Sequence, residues 1–214
     1  MTKYLIKKEF LLSAHPMTYV FMFFGVMLLI PSYPYYITFF YVTLGLFFSF
    51  MNGRENRDLY FDAILPVSKK DTVRAKTAFV WIVEIIAVVF SVPFALITQK
   101  INPNGSNLAG IEANVAFYGL SLIMLAVFNA VFLCSFFKTA YKVGKSFLFA
   151  CIPTAVFIAA AEAADHMPVI GDFLEGKGGQ LVQIPVLFVG IAVFAVSYFA
   201  VNKQCAKNYE KVDL

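Results

Sequence analysis

Long apolar runs, separated by short polar segments, dominate the chain. They cover roughly residues 16–30, 35–51, 77–98, 115–137, 146–164 and 180–201. A helix needs about 20 apolar residues to cross about 30 Å of hydrocarbon at about 1.5 Å per residue. The pattern therefore predicts an all-α integral membrane protein with six transmembrane helices in a single domain, residues 1–214.

The first two runs are short for spans and are joined by the tight link Pro31-Ser32-Tyr33-Pro34. They are expected to form a helical hairpin whose outer tip lies shallow in the bilayer. A re-entrant hairpin that does not cross is the competing interpretation.

Composition supports a membrane protein and argues against a water-soluble fold. The chain is 60% hydrophobic and 14% charged, with a mean hydropathy of +0.76. Soluble domains carry about 25% charged residues. A soluble fold of this size could not bury so much apolar surface.

The basic residues are distributed unevenly between the two sides of the six-helix arrangement. Fifteen of the 17 lysines and arginines fall in the two termini and in the loops at 52–76 and 138–145, and two, Lys100 and Lys177, fall on the other side. Loops rich in lysine and arginine stay on the cytoplasmic side of a membrane. The chain is therefore expected to be a multi-pass protein of the plasma membrane with both termini in the cytoplasm. The charge also favours contact with anionic membrane lipid and, being spread over four segments, does not indicate nucleic-acid binding.

Turn and helix signals mark the outer loops. Asn104-Gly105 predicts a turn in the first of them. The second is expected to hold a short amphipathic helix with Val169, Ile170, Phe173 and Leu174 on its apolar side.

The segment between the second and third runs predicts two short helices separated by a proline. In ENRDLYFDAIL, residues 55–65, Tyr60 and Ile64 share one face. Pro66 ends this helix, and Ser68 with Asp71 three residues later forms a capping-box pattern for a second helix, which runs from Lys69 into the third span. This elbow either docks on a partner protein or packs on its own bundle.

The same residues carry a resemblance to a known family. Glu55, a short helix and then LPVSKKDTVRAK, residues 65–76, resemble the ABC-2 type exporter permeases. Size and layout resemble the small branch that includes phenol-soluble modulin exporter permeases. Lys69 departs from the family pattern, in which arginine is commoner at this position. A lysine keeps the positive charge but cannot form the bidentate hydrogen bonds of an arginine.

The resemblance implies an ATPase-coupling site, an interfacial N-terminal helix and several partners. The cytoplasmic coupling helix and elbow would lie between spans 2 and 3, with Glu55 and Arg57 holding an elbow made of Leu65, Pro66, Val67, Ser68, Lys69, Lys70 and Asp71. The N-terminal stretch would lie at the membrane surface, with Lys8 snorkelling to the headgroups. The implied partners are an ABC ATPase subunit, a second permease copy (itself or a paralogue), and an amphipathic peptide substrate moved out by alternating access.

No nucleotide, metal or catalytic site is expected on this chain. Val143-Gly144-Lys145-Ser146 resembles the end of a P-loop, but Thr139 stands where that motif needs glycine. The two histidines, His15 and His166, fall on opposite sides of the membrane. ATP and Mg²⁺ would therefore bind the partner subunit, and this chain would carry no cofactor and would not be an enzyme.

Three polar residues near or within the spans, Glu84, Asn129 and Glu162, are candidates for the transport pathway or its gating. Glu84 is a pathway or gating residue, or a protonated carboxyl satisfied between helices, and Asn129 is a plausible partner type. Glu162 ends span 5 in an alanine-rich segment, which favours helix packing or a dimer contact over chemistry.

Two other classes of function compete with transport. The chain could be a membrane immunity or scaffold protein that transports nothing. A membrane-embedded enzyme is disfavoured by the lack of a catalytic motif.

Overall fold

The computed structural model of the chain describes residues 2–30, 33–101, 107, 110–174 and 179–213, without the side chains of residues 168 and 169. The structure is 84% helical, and these residues contain no strand. The helices are α1 Thr2–Lys8, α2 Pro16–Met22, α3 Tyr36–Glu55, α4 Asp58–Ile64, α5 Lys69–Ile101, α6 Val115–Phe136, α7 Val143–Asp165, α8 Pro168–Leu174 and α9 Ile184–Glu210. A π-helical turn, Glu9–Ser13, extends α1, and 3₁₀ turns at Phe24–Leu29 and Gln180–Gln183 follow α2 and precede α9.

Among the described residues, five helical segments are long and apolar enough to cross a membrane. They are Tyr36–Glu55, Lys69–Ile101, Val115–Phe136, Val143–Asp165 and Gln180–Glu210. A sixth requires Thr2–Ser13 and Pro16–Leu29 to be counted together, although they meet at 99°. The chain is therefore an all-α integral membrane protein, as the sequence predicts, and the predicted count of six spans is reached when the bent pair is taken as one span.

The first apolar run is shorter than a full span. The α-helical and 3₁₀ turns of Pro16–Leu29 together rise about 22 Å, less than the hydrocarbon thickness of about 30 Å. His15 caps α2 by accepting the Met17 backbone N–H at 3.1 Å, and Pro16 occupies the first helical position. The bend before Pro16 turns α1 across the bundle, as expected of an interfacial helix.

The α1 segment presents an apolar outer side. Tyr4, Leu11 and Leu12 are each more than two-thirds exposed, whereas Leu5 and Ser13 are buried. Exposed apolar side chains of this kind are suited to the acyl boundary of a bilayer.

Helix α6 lies at the centre of the bundle, and its closest approach is to α9. Gly119 of α6 and Gly190 of α9 face each other, and a Cβ added to Gly119 would come within 2.5 Å of the Val186 carbonyl oxygen. The small residues let the two backbones touch, which is how helices associate tightly in a membrane.

Gly190→Ala is expected to destabilise the bundle. Its new Cβ would overlap the Gly119 backbone, so α9 would have to move away from α6. Overpacking of this kind costs about 1–3 kcal/mol. Unfolding by denaturant in detergent micelles would measure the loss, and Gly144→Ala is the matched control because no atom lies within 4 Å of its added Cβ. Equal stability of the two variants would contradict the close packing.

The outer segments agree in part with the sequence predictions. Helix α8 forms where the amphipathic helix is expected, and Leu174 is buried while Ile170 and Phe173 stay partly exposed. The predicted Asn104-Gly105 turn lies outside the described residues, as do Pro31 and Ser32 of the first link.

Candidate functional site

The connection between α3 and α5 forms the elbow that the sequence predicts. Leu65 is extended, with φ −74° and ψ 152°, and this ends α4 before Pro66. The Ser68 hydroxyl donates to Asp71 Oδ2 at 2.7 Å and accepts the Asp71 backbone N–H at 3.1 Å. Ser68 therefore caps the first turn of α5 as predicted, although Asp71 accepts the Ser68 hydroxyl and not the Ser68 backbone N–H that a full capping box would use. From this cap α5 continues as a single 33-residue helix.

Helix α4 has its polar and apolar sides reversed relative to a soluble surface helix. It buries Asp58 and Asp62, together with Leu59. The opposite side exposes about half or more of three large side chains, Tyr60, Phe61 and Ile64. The segment thus turns its carboxylates into the bundle and its hydrophobic surface outward.

The buried carboxylates belong to a five-residue ionic network, defined by Lys8, Glu9, Asp58, Asp62 and Lys76. The Lys76 ammonium contacts Asp58 and lies 2.9 Å from Glu9. The Lys8 ammonium lies 2.7 Å from Asp58 and 2.6 Å from Asp62. The network ties α1, α4 and the first turns of α5 together beneath the bundle.

The two ammonium groups set the ionisation of the network. Burial alone would raise the pKa of Asp58, but Lys76 and Lys8 outweigh it and lower that pKa to about 2. Burial raises the pKa of Asp62, and Lys8 opposes the rise. Carboxylate oxygens of Glu9, Asp58 and Asp62 lie within 4.8 Å of one another, a spacing that a cation could bridge. Here the lysine ammoniums contact those three carboxylates, so the cluster is an ion-pair network between helices.

The expected snorkelling of Lys8 is wrong, because its ammonium turns inward to the carboxylates of α4. Sequence reasoning also missed Glu9, Asp58, Asp62 and Lys76. One signal was present: Asp58 and Asp62 are four residues apart and share a helical face opposite the aromatic residues. Their lysine partners are distant in sequence, so the pattern alone did not reveal the network.

The elbow also holds the end of the chain. The Lys69 ammonium donates to the Val212 carbonyl oxygen at 2.7 Å and lies 5.7 Å from the centre of the Tyr209 ring. Lys70 pairs with Glu210 at 3.2 Å. The last turn of α9 is therefore fastened to the first turn of α5.

Glu55 and Arg57 lie where α3 gives way to α4. Glu55 ends α3, is exposed, and pairs with Arg54. Arg57 adopts a left-handed conformation, φ 53°, which breaks the helix between α3 and α4. A cavity of about 460 Å³ is lined by both residues and by Asp58 and Lys76.

The family of the chain follows from a comparison of its whole length with known families. Residues 4–203 match the profile described as ABC-2 family transporter protein. The chain belongs to the ABC-2 transporter family. Comparison with curated proteins and with solved structures finds no match. The protein is thus the membrane-spanning component of an ABC transporter, and the immunity or scaffold alternative is not favoured.

Within this ABC-2 permease, the structure brings Glu84 and Asn129 together. The Asn129 side-chain amide donates to Glu84 Oε2 at 2.7 Å, between α5 and α6. Both side chains are fully buried, and Glu84 Oε1 and Asn129 Oδ1 have no hydrogen-bond partner among the described residues. In this conformation the carboxyl is enclosed by helices, so we infer that it contributes to packing.

Asn129→Leu is expected to destabilise the permease by about 1–3 kcal/mol, because it leaves a buried carboxyl without its donor. Combining it with Glu84→Met should recover most of the loss, since replacing both partners by apolar groups is nearly neutral. Denaturant unfolding of the single and double variants measures the effect. A double variant that is stable but inactive in transport would instead assign Glu84 to the pathway.

Glu162 lies at the other end of the permease from the elbow. Its carboxylate accepts the Ile111 backbone N–H at 3.1 Å, and its own backbone carbonyl contacts His166 Nδ1 at 2.8 Å. Gly110, at φ 144°, leaves the space that this carboxylate occupies. Glu162 therefore fastens α7 to the segment before α6, which fits the packing interpretation.

Proposed function

We propose that this permease is the transmembrane subunit of an ATP-driven exporter, coupled at α4 and the elbow to a separate ABC ATPase. The reversed faces of α4 carry this proposal. A helix that merely packed on its own bundle would bury Tyr60, Phe61 and Ile64, yet these are exposed while its acids are buried. These three exposed side chains form an apolar ridge beside the capped elbow. A ridge of this kind fits a groove on a partner protein.

The ionic network supports a mechanical role for that helix. It links α4 to α1 and α5 by charge-assisted contacts at short distance. A force applied to the ridge would reach the start of a 33-residue spanning helix without a flexible linker. ATP and Mg²⁺ would bind the partner ATPase. Closure of the ATPase dimer would then rock the bundle between inward-open and outward-open states.

The orientation supports the same assignment. Fifteen basic residues on the elbow side against two on the other favour a cytoplasmic elbow and cytoplasmic termini. An ATPase in the cytoplasm would then reach the ridge directly.

A second permease copy is part of the proposal. Helix α7 is largely unburied, and Leu148, Ile152 and Val156 form an exposed stripe continued by the alanines at 159, 160 and 163. Small residues allow close approach of another helix. The second copy, identical or paralogous, would complete the pathway, and an amphipathic peptide is the substrate that the small branch of the family suggests.

Photo-crosslinking tests the coupling proposal. A photoreactive residue at Ile64 should crosslink to the ABC ATPase subunit of this permease when both are expressed in membranes. The same residue at Leu148, which is similarly exposed but on α7, should not. A second photoreactive residue is placed at Phe61. If neither the Ile64 probe nor the Phe61 probe crosslinks to the ATPase while it is present and active, docking at α4 is refuted.

A further inference from the structure

An apolar groove of about 850 Å³ runs along the outside of the bundle between α5 and α9, with α6 as its floor. Ile85 and Val89 of α5 and Ile191 and Ala195 of α9 line its walls, and Leu122 lies at its floor. The lining of α5 extends from Ala78 to Gln99, a length of about 30 Å at about 1.5 Å per residue. The groove therefore runs through the hydrocarbon region and is open to lipid along its side.

The two ends of the groove differ in charge. At the end remote from the elbow the polar lining residues are neutral amides, Gln99, Asn114 and Gln180. At the elbow end, Tyr198 and Phe199 also line a second pocket of about 650 Å³. That pocket contains four cations and one acid: Lys70, Arg74, Lys203, Lys207 and Glu210. The groove and the basic pocket thus form one continuous surface with an apolar length and a positive end.

We propose that this surface is a binding site for an anionic phospholipid. The phosphate and acidic headgroup would lie among Arg74, Lys203 and Lys207, and the acyl chains would lie along the groove. Lys70 is already paired with Glu210, and Arg74 lies 3.9 Å from Asp71 at the edge of the pocket, which leaves Lys203 and Lys207 in excess over acid in the pocket. An apolar helix face alone would accept any lipid, whereas the positive end selects one that carries net negative charge. With the elbow facing the cytoplasm, the lipid comes from the inner leaflet.

The single tryptophan of the chain reports on this site. Trp81 lines the groove near its basic end, and its ring centre lies 5.4 Å from that of Tyr198. Bromine on an acyl chain in the groove would quench its fluorescence. In vesicles with equal fractions of brominated lipid, brominated phosphatidylglycerol should quench Trp81 more than brominated phosphatidylcholine does.

Charge variants separate binding at this site from general attraction to the membrane. Lys203→Gln with Lys207→Gln should lower the relative association of phosphatidylglycerol about fivefold for each lysine removed. Lys142→Gln with Lys145→Gln, at the start of α7, removes the same charge elsewhere and should leave the preference intact. High salt should weaken the preference, and soluble glycerophosphate, which lacks acyl chains, should not compete.

A shape variant tests the groove itself. Ala195→Phe would fill it, and Ala192→Phe would add the same ring outside the lining. Native mass spectrometry should find less retained phosphatidylglycerol for the first variant only. Equal quenching by the two lipids, an unchanged preference in the Lys203–Lys207 variant, or competition by glycerophosphate would overturn the proposal. These are binding measurements, so they stand apart from the coupling proposal.

Discussion

Lys76→Met is expected to lower the free energy of unfolding of the permease by about 3–5 kcal/mol, the cost of removing one partner from a buried ion pair. The ammonium of Lys76 is buried between Glu9 and Asp58. Methionine fills a similar volume but leaves both carboxylates facing each other without a counter-charge, except for what Lys8 supplies. Denaturant unfolding in detergent micelles would measure the loss.

The control for this variant is Lys70→Met. Lys70 also forms an ion pair, with Glu210, but its side chain is 61% exposed. Exposed pairs contribute about 1 kcal/mol or less. Adding Glu9→Gln and Asp58→Asn to Lys76→Met should recover much of the stability, because neutral amides bury at lower cost than carboxylates. A loss below about 1 kcal/mol for Lys76→Met alone would show that the network does not hold α1 and α4 to α5.

Phe61→Asp and Ile64→Asp are each expected to weaken association with the ATPase by about 30-fold to 1000-fold, equivalent to about 2–4 kcal/mol for a central interface residue. Both side chains are exposed on the outer side of α4, so the fold should lose at most about 0.5 kcal/mol. Co-purification followed by titration of the ATPase into permease nanodiscs would measure the affinity.

Tyr141→Asp provides the matched control. Tyr141 is an exposed aromatic residue in the segment between α6 and α7, 64% accessible, and its replacement introduces the same charge. Full association of Phe61→Asp and Ile64→Asp with the ATPase would remove the basis of the coupling proposal. Loss of association in all three variants would indicate a general effect of negative charge.

The local features of the elbow could be predicted because they depend on neighbouring residues. Proline at 66 and the Ser68–Asp71 spacing determine where α4 ends and α5 begins whatever the rest of the chain does. The predicted first helix was less accurate: α3 continues to Glu55, and α4 begins only at Asp58, after the left-handed Arg57. A left-handed arginine has no marked sequence signal, so this boundary was not predictable.

The long-range contacts of the site could not be predicted from one sequence. Lys8 and Asp62 are 54 positions apart, and Glu9 and Lys76 are 67 apart, so only the packing of α1 across the bundle brings them together. The positive-inside count treated Lys8 and Lys76 as topology signals, although both are used in ion pairs. Glu84 and Asn129 were candidates by residue type, yet their contact depends on the relative rotation of α5 and α6.

The attachment of the chain end to the elbow has a mechanical consequence. Lys69 donates to the Val212 carbonyl oxygen and Lys70 pairs with Glu210, so the start of α5 and the end of α9 are in direct contact at the elbow. A displacement delivered there would move both long helices together, and the groove between them would move with them. An anionic phospholipid bound in that groove would then be displaced together with α5 and α9 in each transport cycle.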